Sequence, residues 1–333
     1  MVIVIGGSSF IGVYTVEVLL KAGYSVIATG RNAKFRAYFK SMGVDYVHLD
    51  VSNKEDFKKL PTEDIEGVIL LAALLPANST ADLEKNENAA DYFIANTIGT
   101  INALEYCRVN GIKRLISTTS YADVFNYWDE KVKITEETPR GFQYKGDHSV
   151  YIISKNAASD VIEYYNQQYS MKNAVFRFPP VYGVGPHGSL LVNGNLIKSG
   201  LQIFMDKAEA GKDIEVYGDK NVARDVVYVK DVANAFVKAI GSDKTYGLYN
   251  IGSGKSTTLD EQANIISDIF SDEANKSSIV YKPEVENKSI SYSFDISKAR
   301  KDFGYNPVYA DFKTMMLDWK KEIKRGVYTK LFD

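Results

Sequence analysis

Val2-Ile3-Val4-Ile5-Gly6-Gly7-Ser8-Ser9-Phe10-Ile11-Gly12-Val13 decides how the rest of this chain is read. Four apolar residues run into two glycines, and from Val13 to Ala22 apolar residues recur with helical spacing until Gly23. That order predicts a strand, a tight turn and a helix. Such a turn aims backbone N–H groups and the positive end of the helix at a pyrophosphate. Gly6 and Gly7 let the backbone turn sharply, and Gly12 lets the helix pack closely on the strand. The stretch therefore predicts a dinucleotide site.

Working outward, Val26–Thr29 and Tyr46–Leu49 read as the next strands, and the fully apolar Gly67–Ala73 as a fourth, buried on both faces. A helix is expected around Ile94–Asn110, a fifth strand at Leu115–Thr118, a helix at Tyr151–Tyr169 and a sixth strand at Ala174–Phe178. Alternating strands and helices predict an α/β fold with a doubly wound parallel sheet. After Pro179-Pro180 the pattern changes. A helical stretch is expected near Asn195–Ala210, short strands at Ile214–Tyr217 and Leu248–Ile251, and charged helix over Lys298–Lys324. Residues 1–178, with segments returning near 224–252, form the expected dinucleotide-binding domain. Residues 179–223 and 253–333 form a smaller α/β C-terminal substrate-binding lobe. Pro76–Asn88 and Tyr121–Ser149 read as mobile surface loops, the second long enough to suggest a lid or binding loop.

Composition narrows the chemistry. The 333 residues are 45% hydrophobic and 25% charged, with net charge −2. No basic excess exists to follow a phosphate backbone, so nucleic acid is not an expected partner. Cys107 stands alone in a helical pattern and reads as a buried apolar residue. His48, His148 and His187 lack metal-ligand spacing, and no metal is expected. No leader-like N-terminus and no run of membrane-spanning length is read, so no membrane partner and a cytoplasmic location are expected.

The second strand ends Thr29-Gly30-Arg31-Asn32 rather than in the carboxylate that would grip an adenosine ribose. Arg31 would attract a 2′-phosphate, which favours NADP, with NAD as the alternative. Asp50 is placed to meet the adenine amino group.

Tyr-x-x-x-Lys occurs at Tyr127/Lys131, Tyr151/Lys155 and Tyr309/Lys313. Only Tyr151 opens a long helix between two strands. Four residues apart on a helix, the phenol and ammonium share a face. A free tyrosine has a pKa of about 10, and a neighbouring Lys⁺ is expected to lower it. Ser117-Thr118-Thr119-Ser120 places hydroxyls at a strand's C-terminal end, where ligands bind in such sheets.

Together these segments resemble the extended short-chain dehydrogenases/reductases, the NAD(P)-dependent nucleotide-sugar epimerases, dehydratases and reductases. The resemblance also takes in Asn96-Thr97-Ile98-Gly99-Thr100, Arg177–Gly185, Gly218–Asp231, Tyr249-Asn250-Ile251-Gly252 and Ser297-Lys298-Ala299. It implies a Rossmann-like fold, Tyr151 as acid/base, Lys155 as its partner, and Ser120 or Thr119 as the third member. It implies cofactor contacts from Gly6, Ser8, Ser9, Phe10, Ile11, Gly12, Arg31, Asn32, Asp50, Val51, Ala72, Ala73, Asn96, Pro179 and Val181. Arg224 and Tyr182 would face substrate, Arg224 at its diphosphate. A homodimer through the helices near Ile94–Asn110 and Tyr151–Tyr169 is implied as well.

The sequence departs from the family pattern at Ser9 and Gly30, at Pro180 where many epimerases have asparagine, and at Tyr121-Ala122 where the 4,6-dehydratases have an Asp-Glu pair. The last departure argues against dehydration. The leading expectation is epimerisation of a nucleotide-linked sugar through a keto intermediate. NADPH-dependent reduction of a keto sugar or other carbonyl is the alternative, and a non-catalytic cofactor-binding protein the third reading.

Overall fold

The computed structural model describes residues 1–76, 89–129, 132–146, 148–186, 188–192 and 195–332. Its centre is a parallel sheet built from β1 (Val2–Ile5), β2 (Val26–Gly30), β3 (Asp45–His48), β4 (Gly67–Leu70), β5 (Leu115–Ser120), β6 (Ala174–Phe178) and, much later, β13 (Gly247–Asn250). The spatial order is β13-β6-β5-β4-β1-β2-β3, all parallel. The order reverses at β1, which therefore holds the switch point where such sheets bind ligands.

Alternation along β1 explains the two cores. Val2 and Val4 point to one face and Ile3 and Ile5 to the other, as a period of two requires. On the first face lie α1 (Phe10–Lys21) and α7 (Val229–Ile240), with Val13, Val16, Val232 and Phe236 buried. On the second lie α4 (Gly99–Val109) and α5 (Ser149–Tyr169), with Leu104, Cys107 and Ile162 buried. Each such side chain contributes about 1.5–3 kcal/mol on leaving water. α1 starts at Phe10, three residues before Val13, because Ser9 caps it: its Oγ accepts from Gly12 N–H at 3.1 Å. α2 (Phe35–Ser41) covers the β2–β3 crossover. Ahead of α4 run α3 (Ala89–Tyr92) and a π-helical turn over Phe93–Ile98.

The remaining chain forms the lobe around four small two-stranded pairings. β7 (Val181–Tyr182) pairs with β12 (Val227–Tyr228), β10 (Ile214–Tyr217) with β15 (Ile279–Lys282), and β11 (Ala223–Asp225) with β14 (Ser256–Thr258). The fourth pair corrects the sequence reading. Instead of one helix from Asn195, β8 (Ser189–Val192) and β9 (Asn195–Lys198) make an antiparallel hairpin, and α6 (Gly200–Glu209) begins after it. The Oγ of Ser199 caps α6, and that cap fixes the boundary. α8 (Leu259–Phe270), α9 (Ser297–Phe303) and α10 (Phe312–Arg325) complete the lobe. α11 (Val327–Phe332) then docks on α1. Tyr328 stacks on Tyr14 at 4.0 Å and donates to Glu17 Oε2 at 2.9 Å, while Phe332 packs on Phe10 and Phe35.

The described residues 121–129 and 132–141 are packed rather than the mobile surface loop expected from the length of 121–149. Val124, Ile134, Tyr292 and Phe294 form a third buried cluster with Tyr121, Tyr127 and Trp128 against it. Asp123 and Arg177, each about 2% exposed, are ion-paired beneath it, and Arg177 also donates to Thr135 O and Asn250 Oδ1. An unpaired buried guanidinium would cost several kcal/mol, roughly, so this pair ties the segment to the sheet. Of the other expected loop, Pro76–Asn88, residues 77–88 lie outside the described residues, as does His187. No described helix is long and apolar enough to cross a membrane.

Candidate active site

A cavity of about 1290 Å³ is lined both by the C-terminal ends of the sheet strands and by the lobe. Ser9, Phe10 and Ile11 at the start of α1 lie on it, as do Ala73, Thr119, Ser120, Tyr151, Pro179, Val181, Tyr182 and Arg224. This space suits the diphosphate of a dinucleotide at the α1 end. Gly6 has φ +86°, and a Cβ there would lie 2.5 Å from Ala72 N; a Cβ on Gly12 would lie 2.3 Å from Gly6 O. Both glycines are therefore required by close backbone approach. Ser9 Oγ accepts the cap hydrogen bond and lies on the cavity.

The end of β2 accounts for the missing acid. A Cβ on Gly30 would meet Ser8 Oγ at 2.0 Å and Tyr46 Oη at 2.5 Å. The Tyr46 hydroxyl donates to Asn32 O at 2.9 Å, holding the ring there. No carboxylate side chain fits while Ser8 and Tyr46 keep these positions. Arg31 is exposed and lies 3.6 Å from Asp50 Oδ2. Burial alone would raise the Asp50 carboxyl, but hydrogen bonds from Ser52 and the charge of Arg31 hold it below the ordinary value. Ala72 sits under Gly6, and Val51 packs against Gly99 while its carbonyl accepts from Asn102.

Asn96, expected at the cofactor, is held by the protein's own groups. It is about 1% exposed; its Oδ1 accepts from Leu74 N–H at 2.7 Å, and its Nδ2 donates to Leu74 O and Ser154 Oγ. Both amide protons are used. Asn96 thus joins the chain after β4 to the helix that carries Tyr151.

Tyr151 stands in the first turn of α5 on the cavity wall, with Lys155 one turn on and buried. Lys155 Nζ donates to Thr118 Oγ1 at 3.4 Å. Burial pushes the Lys155 ammonium down to about 8. The Tyr151 phenol moves opposite to the sequence expectation: burial, then Tyr92, Asp123 and Tyr121, raise it above its ordinary value. The lysine charge is spent toward Thr118 and is not among the groups governing the phenol. Along β5, Thr118 and Ser120 share the face that meets Lys155. The Thr119 hydroxyl is buried without a hydrogen-bond partner among the described residues, whereas Ser120 Oγ accepts from Ala122 N–H at 3.2 Å and is half-exposed. Of the other Tyr-x-x-x-Lys matches, Lys131 lies outside the described residues and Tyr309 contacts Asp318 and Tyr228 in the lobe.

Arg224 reaches the cavity from β11 with no carboxylate within ion-pair distance among the described residues. Its neighbours in sequence and helix are occupied elsewhere. Asp225 accepts from Ser253, Gly254 and Phe294 N–H groups, and Asp231 from those of Val308 and Tyr309. Burial raises both carboxyls to about 6. The guanidinium instead faces Tyr121, Tyr182 and Tyr292. Sequence reasoning did not find Tyr121, Phe125 and Trp128 on the cavity wall. Their only signal was aromatic density just after the hydroxyl cluster.

The family model described as "NAD dependent epimerase/dehydratase family" matches residues 2–252. A putative UDP-glucose 4-epimerase of Methanocaldococcus jannaschii is 30% identical over 80% of this chain and 81% of its own. The UDP-glucose 4-epimerase of Mycolicibacterium smegmatis is 26% identical over 78% and 79%. Among solved structures, the UDP-glucose 4-epimerase of Thermotoga maritima with UDP-glucose has a TM-score of 0.76 at 23% identity, covering 98% of this chain and 99% of that one. The Thermus thermophilus UDP-glucose 4-epimerase in complex with NAD has 0.69 at 24%, covering 96% and 98%. These structural matches share the Rossmann-like sheet and the lobe. The chain belongs to the NAD-dependent epimerase/dehydratase family, and is an enzyme of the extended short-chain dehydrogenase type.

Proposed function

We propose that this chain interconverts epimers of a nucleotide-linked sugar through a keto intermediate. The observation that carries the reading is Arg224, a cation without a carboxylate partner on the same cavity wall system as Tyr151. It would hold the diphosphate while the sugar lies toward the tyrosine. The UDP-sugar named for the relatives supports the same substrate class. Residues 1–178 with the returning 224–252 would bind the dinucleotide, and 179–223 with 253–333 the substrate.

The α1 end of the cavity would hold the dinucleotide, whose nicotinamide would supply the acceptor for hydride from a carbinol carbon of the sugar and the donor for its return to the ketone's other face. Tyr151, ionised in the loaded site, would take the hydroxyl proton from that carbon and later give it back, which requires positive charge, such as that of Lys155, to offset the burial that raises the phenol here. Ser120, on the face shared with Thr118 and Lys155, donates to the same oxygen; Thr119 is the reserve. Lys155 holds a positive charge one turn below Tyr151 and offers a donor to the ribose. Tyr182, with Pro179 and Val181, closes the cavity against water, which favours proton return over loss.

The family is NAD-dependent; for this chain we favour NADP, on the cation at Arg31 and the hydroxyls of Ser8 and Tyr46 where others carry an acid. Tighter binding of NAD than NADP in a fluorescence titration would overturn that preference. The same cation favours the second reading, NADPH-dependent reduction of a keto sugar. A panel of nucleotide sugars, followed by NMR for epimers and by nicotinamide absorbance, separates the two. Epimer formation without net absorbance change supports epimerisation; stoichiometric NADPH consumption replaces it with reduction. The enzyme would work in the cytoplasm as a homodimer, through the outward apolar side chains Ile94, Ile98 and Tyr164.

A further inference from the structure

Two loops frame the expected dinucleotide site. One is the phosphate turn Gly6–Ser9, which passes into α1 at Phe10; the other is Arg31–Lys34, which passes into α2 at Phe35. Phe10 and Phe35 are both buried, and one ring from far along the chain touches both. Phe332 of α11 meets Phe10 edge-on, with centroids 6.4 Å apart and planes at 74°, and meets Phe35 at 5.9 Å and 54°. It therefore wedges between the starts of α1 and α2.

Phe10 is confined on its other sides as well. A Cβ on Gly185 would lie 2.3 Å from Phe10 Cδ2, and one on Gly183 would lie 3.1 Å from Cζ, so the strap Tyr182–Gly185 passes close over the ring. Tyr14 meets the ring at 5.8 Å and donates to Val184 O at 3.0 Å, which pins that strap. α2 has ties of its own. Tyr38 donates to Glu17 Oε1, while Tyr328 of α11 donates to Oε2 at 2.9 Å, so one carboxylate joins α1, α2 and α11. Phe39 stacks on Tyr46 at 5.4 Å, and the Tyr46 hydroxyl holds Asn32 O.

We infer that Phe332 is a positioning residue for the dinucleotide, setting the spacing between the phosphate turn and the β2–α2 loop. The inference rests on the reading that the α1 end of the cavity holds a dinucleotide, and adds α11 to the parts of the chain that determine how tightly. Without the ring a void opens beside Phe10 and Phe35, and the side chains around it relax only in part. N–H groups at the start of α1 hold a diphosphate only within a narrow range of distance and angle, so a small displacement of Phe10 weakens them. Two loops already spaced for the ligand do not have to be ordered by it, and that advantage is lost with the wedge.

Titration of the full chain with NADH and NADPH by fluorescence, and with UDP by calorimetry, tests this. Phe332→Ala should bind the dinucleotide that the wild type prefers about tenfold more weakly, equivalent to roughly 1.4 kcal/mol, with UDP binding kept within about twofold. Tyr328→Phe removes the bond to Glu17 and keeps the ring. It should lower the unfolding midpoint in urea and leave dinucleotide binding within about twofold of wild type. Phe332→Leu is the milder second variant should Phe332→Ala fold poorly, with about threefold weaker binding expected. Binding as tight as wild type in Phe332→Ala, or in Phe332→Leu where the alanine variant does not fold, overturns the inference. An equal loss in Tyr328→Phe overturns it too, because affinity would then follow stability alone, and so does an equal loss of UDP binding in Phe332→Ala. If the wild type binds neither NADH nor NADPH, the dinucleotide reading itself fails and the inference falls with it.

Discussion

At the scale of single residues, Lys155 shows the conflict between chemistry and stability most directly. Its ordinary value of about 10.5 falls to about 8 on burial, so the folded state resists the charge that the proposed chemistry needs. Below pH 8 both folded and unfolded chains hold the proton, and the full penalty is present. From pH 8 to about 10.5 the unfolded chain still holds it while the folded chain does not, so folding stability rises with pH across that window. The shift corresponds to roughly 3 kcal/mol. Lys155→Met should therefore stabilise the fold by about 1–3 kcal/mol in urea denaturation at pH 7 and abolish turnover; a loss of stability would show that the ammonium is better solvated than its burial implies. Tyr151→Phe should lower kcat by about 10²–10⁴-fold with cofactor affinity kept, as read by epimer formation and cofactor titration. Gly30→Asp, which would supply the missing acid, should not raise NAD affinity by itself, because its Cβ would collide with Ser8 Oγ. Pairing it with Ser8→Gly and Tyr46→Phe, which removes the hydroxyl 2.5 Å from that Cβ, should raise it. A gain from the single change would mean that Ser8 yields easily.

At the scale of elements, the legible parts were those whose pattern is set locally. β1 and β4 are short apolar runs and β6 is one interrupted only by Arg177, all buried at every residue, and α5 is long and strongly periodic, so spacing alone located them. The β8–β9 hairpin was missed although Asn193-Gly194 between Leu190–Val192 and Leu196–Ile197 is a hairpin signal. The helical spacing of the residues after it was read one element too early. The packing of 121–149 was not legible because its partners, Tyr292, Phe294 and Asn250, lie more than a hundred residues away in sequence. The Tyr151–Lys155 pair was visible by position, whereas the direction of the phenol's shift depended on burial and on Asp123, which no spacing reveals. Asn96 was legible as a motif residue but not as a brace. Its replacement by alanine would leave Leu74 and Ser154 polar groups unpaired, at a cost of about 3 kcal/mol. Urea denaturation should show that loss. Faster hydrogen exchange at Leu74 should accompany it, and unchanged protection there would argue that the brace is redundant.

At the scale of the whole molecule, the central sheet and the later part of the chain share one frame. α7 and β13 return from the lobe to the sheet, and α11 reaches back to α1. Tyr328 is about 1% exposed and its hydroxyl satisfies Glu17, so Tyr328→Ala should cost about 3–5 kcal/mol and Tyr328→Phe about 1–2 kcal/mol, measured by denaturant unfolding. Equal effects would place the energy in the hydrogen bond and not in the stacked ring. The sheet order carries a further consequence, for the route by which the chain reaches this state. β6 finds β5 across a single helix, but its other edge waits for β13, with the lobe's hairpin and α6 and α7 intervening. Until then Ala174–Phe178, apolar except for Arg177, offers an unpaired edge, the kind of surface that recruits another chain. Variants that slow the arrival of β13, such as Leu248→Gly, should form aggregates during refolding by dilution more readily than their equilibrium stability would suggest, and lowering the protein concentration should rescue them.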